Sequence, residues 1–156
     1  MAQALPAQIS CLLIPVQGTS LLLPNASVAE VIDYHQPDAS LAAPQWFLGF
    51  IRWRGLRLPL ISYEAANGDE APPVAEGARI TVTNTIGEHH PPLSFMAVAT
   101  QGIPRLVKVT KEELTMATDA SSGPLQATPV RLSGEEAIIP ELVGLEKLAV
   151  EALAKF

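Results

Sequence analysis

The sequence predicts a mainly β protein with a single helix at its C-terminal end. Fourteen prolines and ten glycines divide the 156 residues into short segments, which favours strands and turns over long helices. Residues 80–86 alternate between apolar and polar side chains and are rich in β-branched types, as half-buried strands are. Apolar side chains recur at helical spacing only in residues 145–156. A chain of this length holds one ordinary domain or two very small ones.

Apolar runs of strand length, separated by turn residues, predict the other strands. They occupy residues 9–16, 21–23, 47–53, 56–62, 95–100, 105–109, 130–132 and 137–139. Two capping-box spacings, Ser27 to Glu30 and Thr110 to Glu113, predict one helical turn each. The segment 66–77, rich in proline and glycine, is the best candidate for a loop between two halves of the chain.

The C-terminal stripe lies on one face of the predicted helix. Its members are Leu145, Leu148, Ala149, Ala152, Leu153 and Phe156. Such a face usually packs on the protein's own core. The alternative is a helix that binds a partner, and the sequence leaves both interpretations open.

The strands around Arg54-Gly55 predict a hairpin with two unlike faces. With a two-residue turn, opposed residues share a face and the faces alternate along each strand. The predicted core face carries Trp53, Leu56, Ile51, Leu58, Gly49 and Leu60. The other face carries Arg52, Arg57, Phe50 and Pro59.

That second face is unusual for a solvated surface. Arg52 and Arg57 oppose each other, and Pro59 cannot donate to a ladder, which predicts an edge strand. An aromatic residue rimmed by arginines is typical of protein interfaces, so one interpretation makes Phe50 an exposed anchor for a partner. In the alternative interpretation another element covers Phe50, and both arginines meet local carboxylates such as Glu64.

Charge and hydropathy exclude two classes of protein. The formal net charge is −6, from ten basic and sixteen acidic side chains, which argues against binding through nucleic-acid phosphates. A membrane-spanning helix needs roughly 20 nearly uninterrupted apolar residues, and the apolar runs here are only a few residues long. The N-terminal residues lack the pattern of a secretory signal. We therefore expect a cytoplasmic protein.

The sequence offers little for catalysis. The single Cys11 permits neither an internal disulfide nor a cysteine-based zinc site, and its apolar surroundings predict a small buried hydrophobe. No nucleophile elbow, phosphate-binding glycine loop or metalloprotease signature occurs. His89 and His90 are adjacent, with no third ligand at a useful spacing. We expect no enzymatic activity, no cofactor and no metal; the rival is a metal-dependent hydrolase that uses His89 and His90.

The run from Trp46 to Ile61 resembles the signature of CheW-like adaptor domains, in which a hydrophobic residue and glycine, a strand, Arg-Gly, three further residues and then proline occur in order. Other segments are similar to the family's opening hairpin, its Val-x-Glu-Ile segment, its second subdomain and its closing Glu-Lys-Leu. They are residues 11–14 with 21–24, 28–31, 80–85, 95–101, 106–110 and 145–148. The resemblance therefore covers most of the chain.

The resemblance implies a fold of two small five-stranded, SH3-like barrels in a pseudo-twofold arrangement, with a C-terminal helix. The whole chain, residues 1–156, would be one CheW-like domain. Residues 9–65 with the helix at 144–156 would form the first barrel, and residues 78–140 the second.

The resemblance also implies a non-enzymatic scaffold in chemosensory arrays, on the inner face of the membrane. Its partners would be the regulatory domain of a CheA-type histidine kinase and the cytoplasmic tip of methyl-accepting chemoreceptors. By resemblance, Val28, Glu30, Arg54 and Gly55 fall at kinase-facing or array-forming positions, and Ile80 and Val82 fall near the receptor groove. The interface composition of the hairpin adds Phe50, Arg52 and Arg57 to the kinase-binding set. The other function left open is a β-barrel binding module outside chemosensing.

Two departures from the family pattern stand out. Ser62 occupies the place of an aspartate, and Arg52-Trp53 replaces the usual Asn-Leu before the turn. Residues 117–139 match poorly. Such divergence is similar to accessory adaptors of type IV pilus systems, which implies a role in twitching motility.

Overall fold

The computed structural model describes residues 8–38, 44–85, 93–116 and 128–155 of the chain. These ranges form strands β1 (Gln8–Val16), β2 (Thr19–Pro24), β3 (Val28–Asp33), β4 (Phe47–Trp53), β5 (Leu56–Ser62), β6 (Arg79–Asn84), β7 (Phe95–Thr100), β8 (Arg105–Thr110), β9 (Leu114–Met116), β10 (Thr128–Leu132) and β11 (Glu135–Ile139). Helix α1 spans Tyr63–Ala66, helix α2 spans Leu142–Lys155, and Asn25–Ser27 is a 3₁₀ turn. The predicted mainly β class is confirmed.

The first sheet has six strands in the order β8-β1-β2-β11-β10-β9. Its two edge strands, β8 and β9, are consecutive in the chain and are joined only by the turn at residues 111–113. Because so short a connection holds the two edges together, the sheet curls into a barrel. We call it the six-stranded barrel.

The second sheet has five strands in the order β3-β6-β7-β5-β4. Its edges also approach each other, since the indole Nε1 of Trp53 in β4 donates to Oε1 of Glu30 in β3 over 2.8 Å. Ile51, Leu58 and Ile80 are buried inside this curled sheet, which we call the five-stranded barrel.

The two barrels repeat one topology. Strands β8, β1, β2, β11 and β10 correspond in order to β3, β6, β7, β5 and β4, and in each barrel the third and fourth strands are parallel while the other pairs are antiparallel. This repetition is the predicted pseudo-twofold arrangement. The three-residue β9 makes one barrel six-stranded instead of five-stranded. Its shortness leaves no alternating pattern to read in the sequence.

The predicted division into residues 9–65 and 78–140 does not match the sheets. Strands β1 and β2 join the C-terminal strands, whereas β6 and β7 complete the barrel of β3 to β5. The loop before β6 therefore connects two strands of one barrel and separates no halves. A strand's local pattern does not specify its distant partner. The first two strands of each predicted half, β1 with β2 and β6 with β7, therefore lie in the barrel formed by the rest of the other half.

Helix α2 lies against both barrels. Leu145 and Ala149 pack with Ile14, Ile61 and other side chains of both sheets, and Ala152 packs with two phenylalanines of β4. The interpretation that the helical stripe packs on the protein's own core is confirmed for Leu145, Ala149 and Ala152. Further along, Leu153 is partly exposed, and Phe156 lies outside the described residues.

Both predicted helical turns are wrong. Val28 to Asp33 is strand, with the 3₁₀ turn before it. After β8, Glu113 Oε1 does accept from the amide and hydroxyl of Thr110 at 3.1 and 2.8 Å, and these bonds lower the pKa of the Glu113 carboxyl. The chain then enters β9 instead of a helix, so the capping bonds here close a turn between strands.

Two further expectations from the sequence concern the burial of Cys11 and membrane-spanning helices. Cys11 is buried inside the six-stranded barrel, where burial raises the pKa of its thiol, as expected for a structural cysteine. Within the described ranges no helix has both the length and the apolarity that a membrane crossing requires.

Candidate interaction surface

The β4–β5 hairpin has the predicted register. Trp53 pairs with Leu56 and Arg52 with Arg57, which leaves Arg54 and Gly55 as a two-residue turn. Both turn residues have positive φ, 50° at Arg54 and 78° at Gly55, the backbone of a type I′ turn. An added Cβ at Gly55 would meet no atom within 4 Å. The requirement for glycine is therefore one of backbone conformation alone.

Glu30, Trp53 and Arg54 form one contact at the hairpin tip. One carboxylate oxygen of Glu30 accepts from Trp53 Nε1 at 2.8 Å and lies 3.2 Å from Nη2 of Arg54. The Arg54 guanidinium lies 4.8 Å from the centre of the Trp53 ring. Two residues assigned by resemblance to the kinase side are thus in contact, although 24 positions separate them in the numbering of the chain.

Trp53 fixes this contact from beneath. Its ring is buried and packs edge-on against Phe95, with 4.9 Å between ring centroids. The side chains above it remain accessible, with Arg54 68% and Glu30 40% exposed. A partner would therefore meet a positioned pair of opposite charges on an aromatic base. The sequence did not predict the Trp53–Glu30 bond, because Trp53 was assigned only to the core face.

Phe50 is not an exposed anchor. Its side chain is 4% exposed and packs with Phe47 and Ala152, so helix α2 covers it. The alternative interpretation, a Phe50 covered by another element, is the one the structure contains. A buried ring cannot contact a kinase, and Phe50 leaves the binding set.

Arg52 and Arg57 oppose each other on the outer face of the hairpin, as predicted. The Arg57 guanidinium stacks on Phe50, 3.4 Å from the ring centre. Both arginines are exposed, and neither pairs with a carboxylate within the described part of the chain. Glu64, the suggested partner, accepts instead from the Gln17 amide at 3.0 Å and is buried.

The receptor-side residues Ile80 and Val82 are fully buried in the five-stranded barrel. Direct contact of either side chain with a receptor is therefore excluded in this conformation. Strand alternation points Thr81 and Thr83 the other way, toward the narrow cleft between the barrels. Val28, at the start of β3, is half-buried against the core shared by the two barrels.

Two details of the hairpin differ from expectation. Leu56, predicted on the core face, is 43% exposed because it lies at the open end of the barrel beside the turn. Pro59 lies in an interior strand, between β4 and β7, instead of at an edge. It is tolerated because the backbone of its partner Phe50 bonds to Asp38, and the ladder to β7 begins only at Leu60.

Ser62 has a structural role where the family pattern has aspartate. Its hydroxyl accepts from the Ala65 amide at 3.2 Å and caps helix α1. Serine and aspartate are interchangeable caps. An aspartate would, however, place a second carboxylate beside Glu64, whose Oε1 is 3.5 Å from the Ser62 hydroxyl.

The adjacent histidines of the rival hydrolase, His89 and His90, lie outside the described residues. In the part of the chain that the structure does describe, no three histidine, cysteine or acidic side chains are grouped so that they could hold a metal ion.

The described residues form two small barrels with a shared core and an exposed pair of opposite charges at one hairpin tip. The sequence profile of the CheW-like domain matches residues 10–146, and the chain belongs to that family. Members of this family are non-enzymatic scaffolds of chemosensory systems, with two SH3-like barrels.

A solved structure supports the fold. The crystal structure of the scaffolding protein TtCheW from Thermoanaerobacter tengcongensis superposes with a TM-score of 0.71 at 14% sequence identity, and the match covers 88% of this chain and 90% of TtCheW. The search of curated proteins returned no match.

Proposed function

We propose that this protein couples chemoreceptors to a CheA-type histidine kinase, without catalysing a reaction itself. The observation that carries the proposal is the contact of Glu30, Trp53 and Arg54. Residues distant in sequence meet there at one exposed point, and two of them correspond to kinase-side positions of the family. The kinase's regulatory domain would bind at this hairpin tip, and the tip of a receptor would bind elsewhere on the two-barrel surface.

Coupling of this kind depends on geometry and repetition. A contact of a hairpin tip and its surroundings buries on the order of 1,000 Å² and is individually weak. Repetition in an array adds avidity without new contacts. A receptor movement then changes kinase activity only if the scaffold binds the two kinase states with unequal affinity.

The decisive experiment compares two charge substitutions at equivalent turn positions. Arg54→Glu places a carboxylate beside Glu30, whereas Ser133→Glu makes the same change at the first turn residue of the β10–β11 hairpin. Calorimetric titration with a purified CheA regulatory domain should show about tenfold weaker binding for Arg54→Glu, equivalent to ~1.4 kcal/mol, and unchanged binding for Ser133→Glu. Thermal unfolding should change little, since exposed ion pairs contribute at most about 1 kcal/mol.

Equal affinity of all three proteins for the kinase domain would remove the hairpin tip from the interface. If the wild type bound neither a kinase domain nor a receptor-tip fragment at high concentration, the protein would be a binding module outside chemosensing. Turnover that disappeared on metal removal and in His89→Ala and His90→Ala variants would establish the hydrolase instead.

The proposal also specifies a location and a system. The protein would act in the cytoplasm, at receptor arrays on the inner face of the membrane, and, following the subfamily resemblance, in a type IV pilus system that drives twitching. A fluorescent fusion should form membrane-associated clusters that disappear when the receptors are deleted. Genes for a kinase, a receptor, a methyltransferase and pilus components beside this one would support the assignment.

A further inference from the structure

A cavity lies at the junction of the two barrels, away from the hairpin tip. It has a volume of about 490 Å³ and lies between the turn after β1 and the loop after α1, where it is lined by Gln17, Glu64, Asp69, Glu70 and residues 71–73. Strand β5 separates this region from the hairpin turn by seven residues, or about 20 Å. Its volume is within the range of small-molecule sites, about 300–1,000 Å³.

The cavity carries charge of one sign. Three carboxylates line it, those of Glu64, Asp69 and Glu70, and its described lining includes no lysine, arginine or histidine. None of the three has an ion-pair partner among the described residues. No group of three ligands for a metal ion occurs in the described ranges either. The cavity therefore attracts positive charge, and an organic cation suits it better than a metal ion.

Glu64 is the most buried of the three carboxylates. It is 6% exposed, whereas Asp69 and Glu70 are exposed at the mouth. Its Oε2 accepts from the Gln17 amide at 3.0 Å, and the Ser62 hydroxyl lies 3.5 Å from Oε1. A carboxylate has about four acceptor sites, so Glu64 can accept further hydrogen bonds. Burial of a carboxylate without a cation is unfavourable, and a ligand that brings one relieves this cost.

A second buried group beside Glu64 lacks a partner. The Tyr63 side chain is 3% exposed, and its hydroxyl makes no hydrogen bond within the described part of the chain. Burial raises the pKa of this hydroxyl, and the charges of Glu64 and Asp69 raise it further, so the hydroxyl lies near both carboxylates. A phenolic oxygen can accept a hydrogen bond as well as donate one. Tyr63 and Glu64 together therefore offer acceptors to a group with several N–H donors.

We propose that the cavity binds a linear aliphatic diamine or polyamine. One ammonium group donates to the Glu64 carboxylate and the Tyr63 hydroxyl, and a second lies between Asp69 and Glu70 at the mouth. The aliphatic chain between them lies against residues 71–73, the alanine and two prolines that form the apolar part of the lining. The site is separate from the kinase contact and goes beyond the proposed scaffold function.

Calorimetric titration of the full chain with 1,4-diaminobutane and with spermidine at low ionic strength tests the proposal. Each amine should bind at one saturable site. Glu64→Gln, Asp69→Asn and Glu70→Gln keep the side-chain shape and remove one charge, and each should weaken binding at least about tenfold, equivalent to 1.4 kcal/mol. Glu76→Gln removes the same charge from an exposed position of the same loop that does not line the cavity, and should leave the affinity unchanged.

Tyr63→Phe separates binding from folding. It should weaken binding at least about tenfold, because a hydrogen bond to a charged group is stronger than one between neutral groups, while urea unfolding shows that the variant stays stably folded. Asp69 and Glu70 are exposed, so their variants keep the test valid if Glu64→Gln disturbs the junction. The amide of N-acetyl-lysine has one ammonium group and should bind at least about tenfold more weakly than the diamine.

Four results would overturn the proposal. They are no saturable binding of either amine, an equal loss of affinity in Glu76→Gln, a lysine compound that binds as tightly as the diamine, and magnesium chloride that binds as tightly as the diamine. Kinase binding is measured without amines, so the proposed scaffold function stands or falls separately.

Discussion

The β4–β5 and β10–β11 hairpins occupy equivalent places in the two barrels and have the same turn, yet they present different surfaces. Arg54 and Ser133 each have φ near 50°, and the glycines that follow have φ of 78° and 86°. Each hairpin's second strand then pairs in parallel with a strand of its own barrel. The backbone is repeated, so any difference in function must come from the side chains.

The side chains differ most in charge. Two positions before the turn, Arg52 opposes Arg57 in one hairpin, whereas Arg131 opposes Glu136 in the other, 3.5 Å away. The adjacent Glu135 is held by Arg105 at 2.6 Å. The β10–β11 hairpin thus meets its charges within the chain, while Arg52 and Arg57 of the β4–β5 hairpin have no carboxylate partner among the described residues. The same fold can therefore present one surface whose charges are paired within the chain and another whose charges remain accessible.

The largest expected difference concerns burial by helix α2. Phe50→Ala should lower the free energy of unfolding by about 3–5 kcal/mol, because it empties a fully packed aromatic site. Phe50 lies four positions before Arg54, and the residue four positions before Ser133 is Pro129, which is half-buried. Pro129→Ala should cost under about 1 kcal/mol. Urea unfolding measures both, and equal losses would contradict the one-sided role of the helix.

The turn glycines should respond alike. Gly55→Ala and Gly134→Ala should each cost about 1–2 kcal/mol, since an L-residue is strained at these φ values and an added Cβ meets no atom within 4 Å at either site. The comparison is again by urea unfolding. A difference well above 0.5 kcal/mol between the two, the usual error of additivity, would mean that the turns are not equivalent.

Each barrel's hairpin leads into a helix, and the first residues of those helices differ. Tyr63 begins α1 and Leu142 begins α2. The buried Tyr63 hydroxyl has no hydrogen-bond partner in the described part of the chain. Removing an unsatisfied buried group stabilises by about 1 kcal/mol, so Tyr63→Phe should raise the free energy of unfolding at neutral pH. An unchanged or lower value would point to a partner for the hydroxyl.

The same residue predicts an alkaline transition. Burial, followed by the nearby Glu64 and Asp69 charges, raises the pKa of Tyr63 to about 12, above the ordinary value of about 10 for an unfolded chain. The folded state therefore holds this proton more tightly, and stability falls as pH rises from about 10 through 12. Unfolding measured across this range should show a smaller decline in Tyr63→Phe, and identical declines would refute the assignment.

The smallest effect has opposite signs in the two hairpins. Arg52→Glu replaces a like-charge pair by an opposite one and should stabilise by a few tenths of a kcal/mol, whereas Arg131→Glu creates a like-charge pair with Glu136 and should destabilise by about as much. Thermal unfolding at low salt resolves the sign. The same sign for both would show that cross-strand charge does not govern these positions.

Local features of the sequence predicted the β4–β5 hairpin correctly, because its register depends only on a two-residue turn and alternating side chains. The burial of Phe50 was not predictable in the same way, since the residue that covers it, Ala152, belongs to a distant helix. Only the family resemblance places Ile80 and Val82 near a receptor groove, whereas their alternation with Thr81 and Thr83 indicates an inward face.

Which barrel each strand joins could not be predicted from the local sequence either. Strand β1 carries apolar side chains on both faces, Cys11 and Leu13 inside the six-stranded barrel and Ile14 and Val16 in the core shared with the other barrel. Such a strand is compatible with either sheet. Its partner is chosen by packing over the whole molecule, which no single segment encodes.

The five-stranded barrel is inserted into the chain of the six-stranded barrel. The polypeptide passes from one barrel to the other between β2 and β3 and again between β7 and β8, while the Glu64 carboxylate holds the Gln17 amide across the junction. The six-stranded barrel is therefore built from two separate stretches of sequence, residues 8–24 and 105–139, and the five-stranded barrel is the continuous stretch 28–100 inserted between them. The barrel that carries the hairpin tip is thus attached to the other barrel by two covalent crossings, the Gln17–Glu64 hydrogen bond and a shared core.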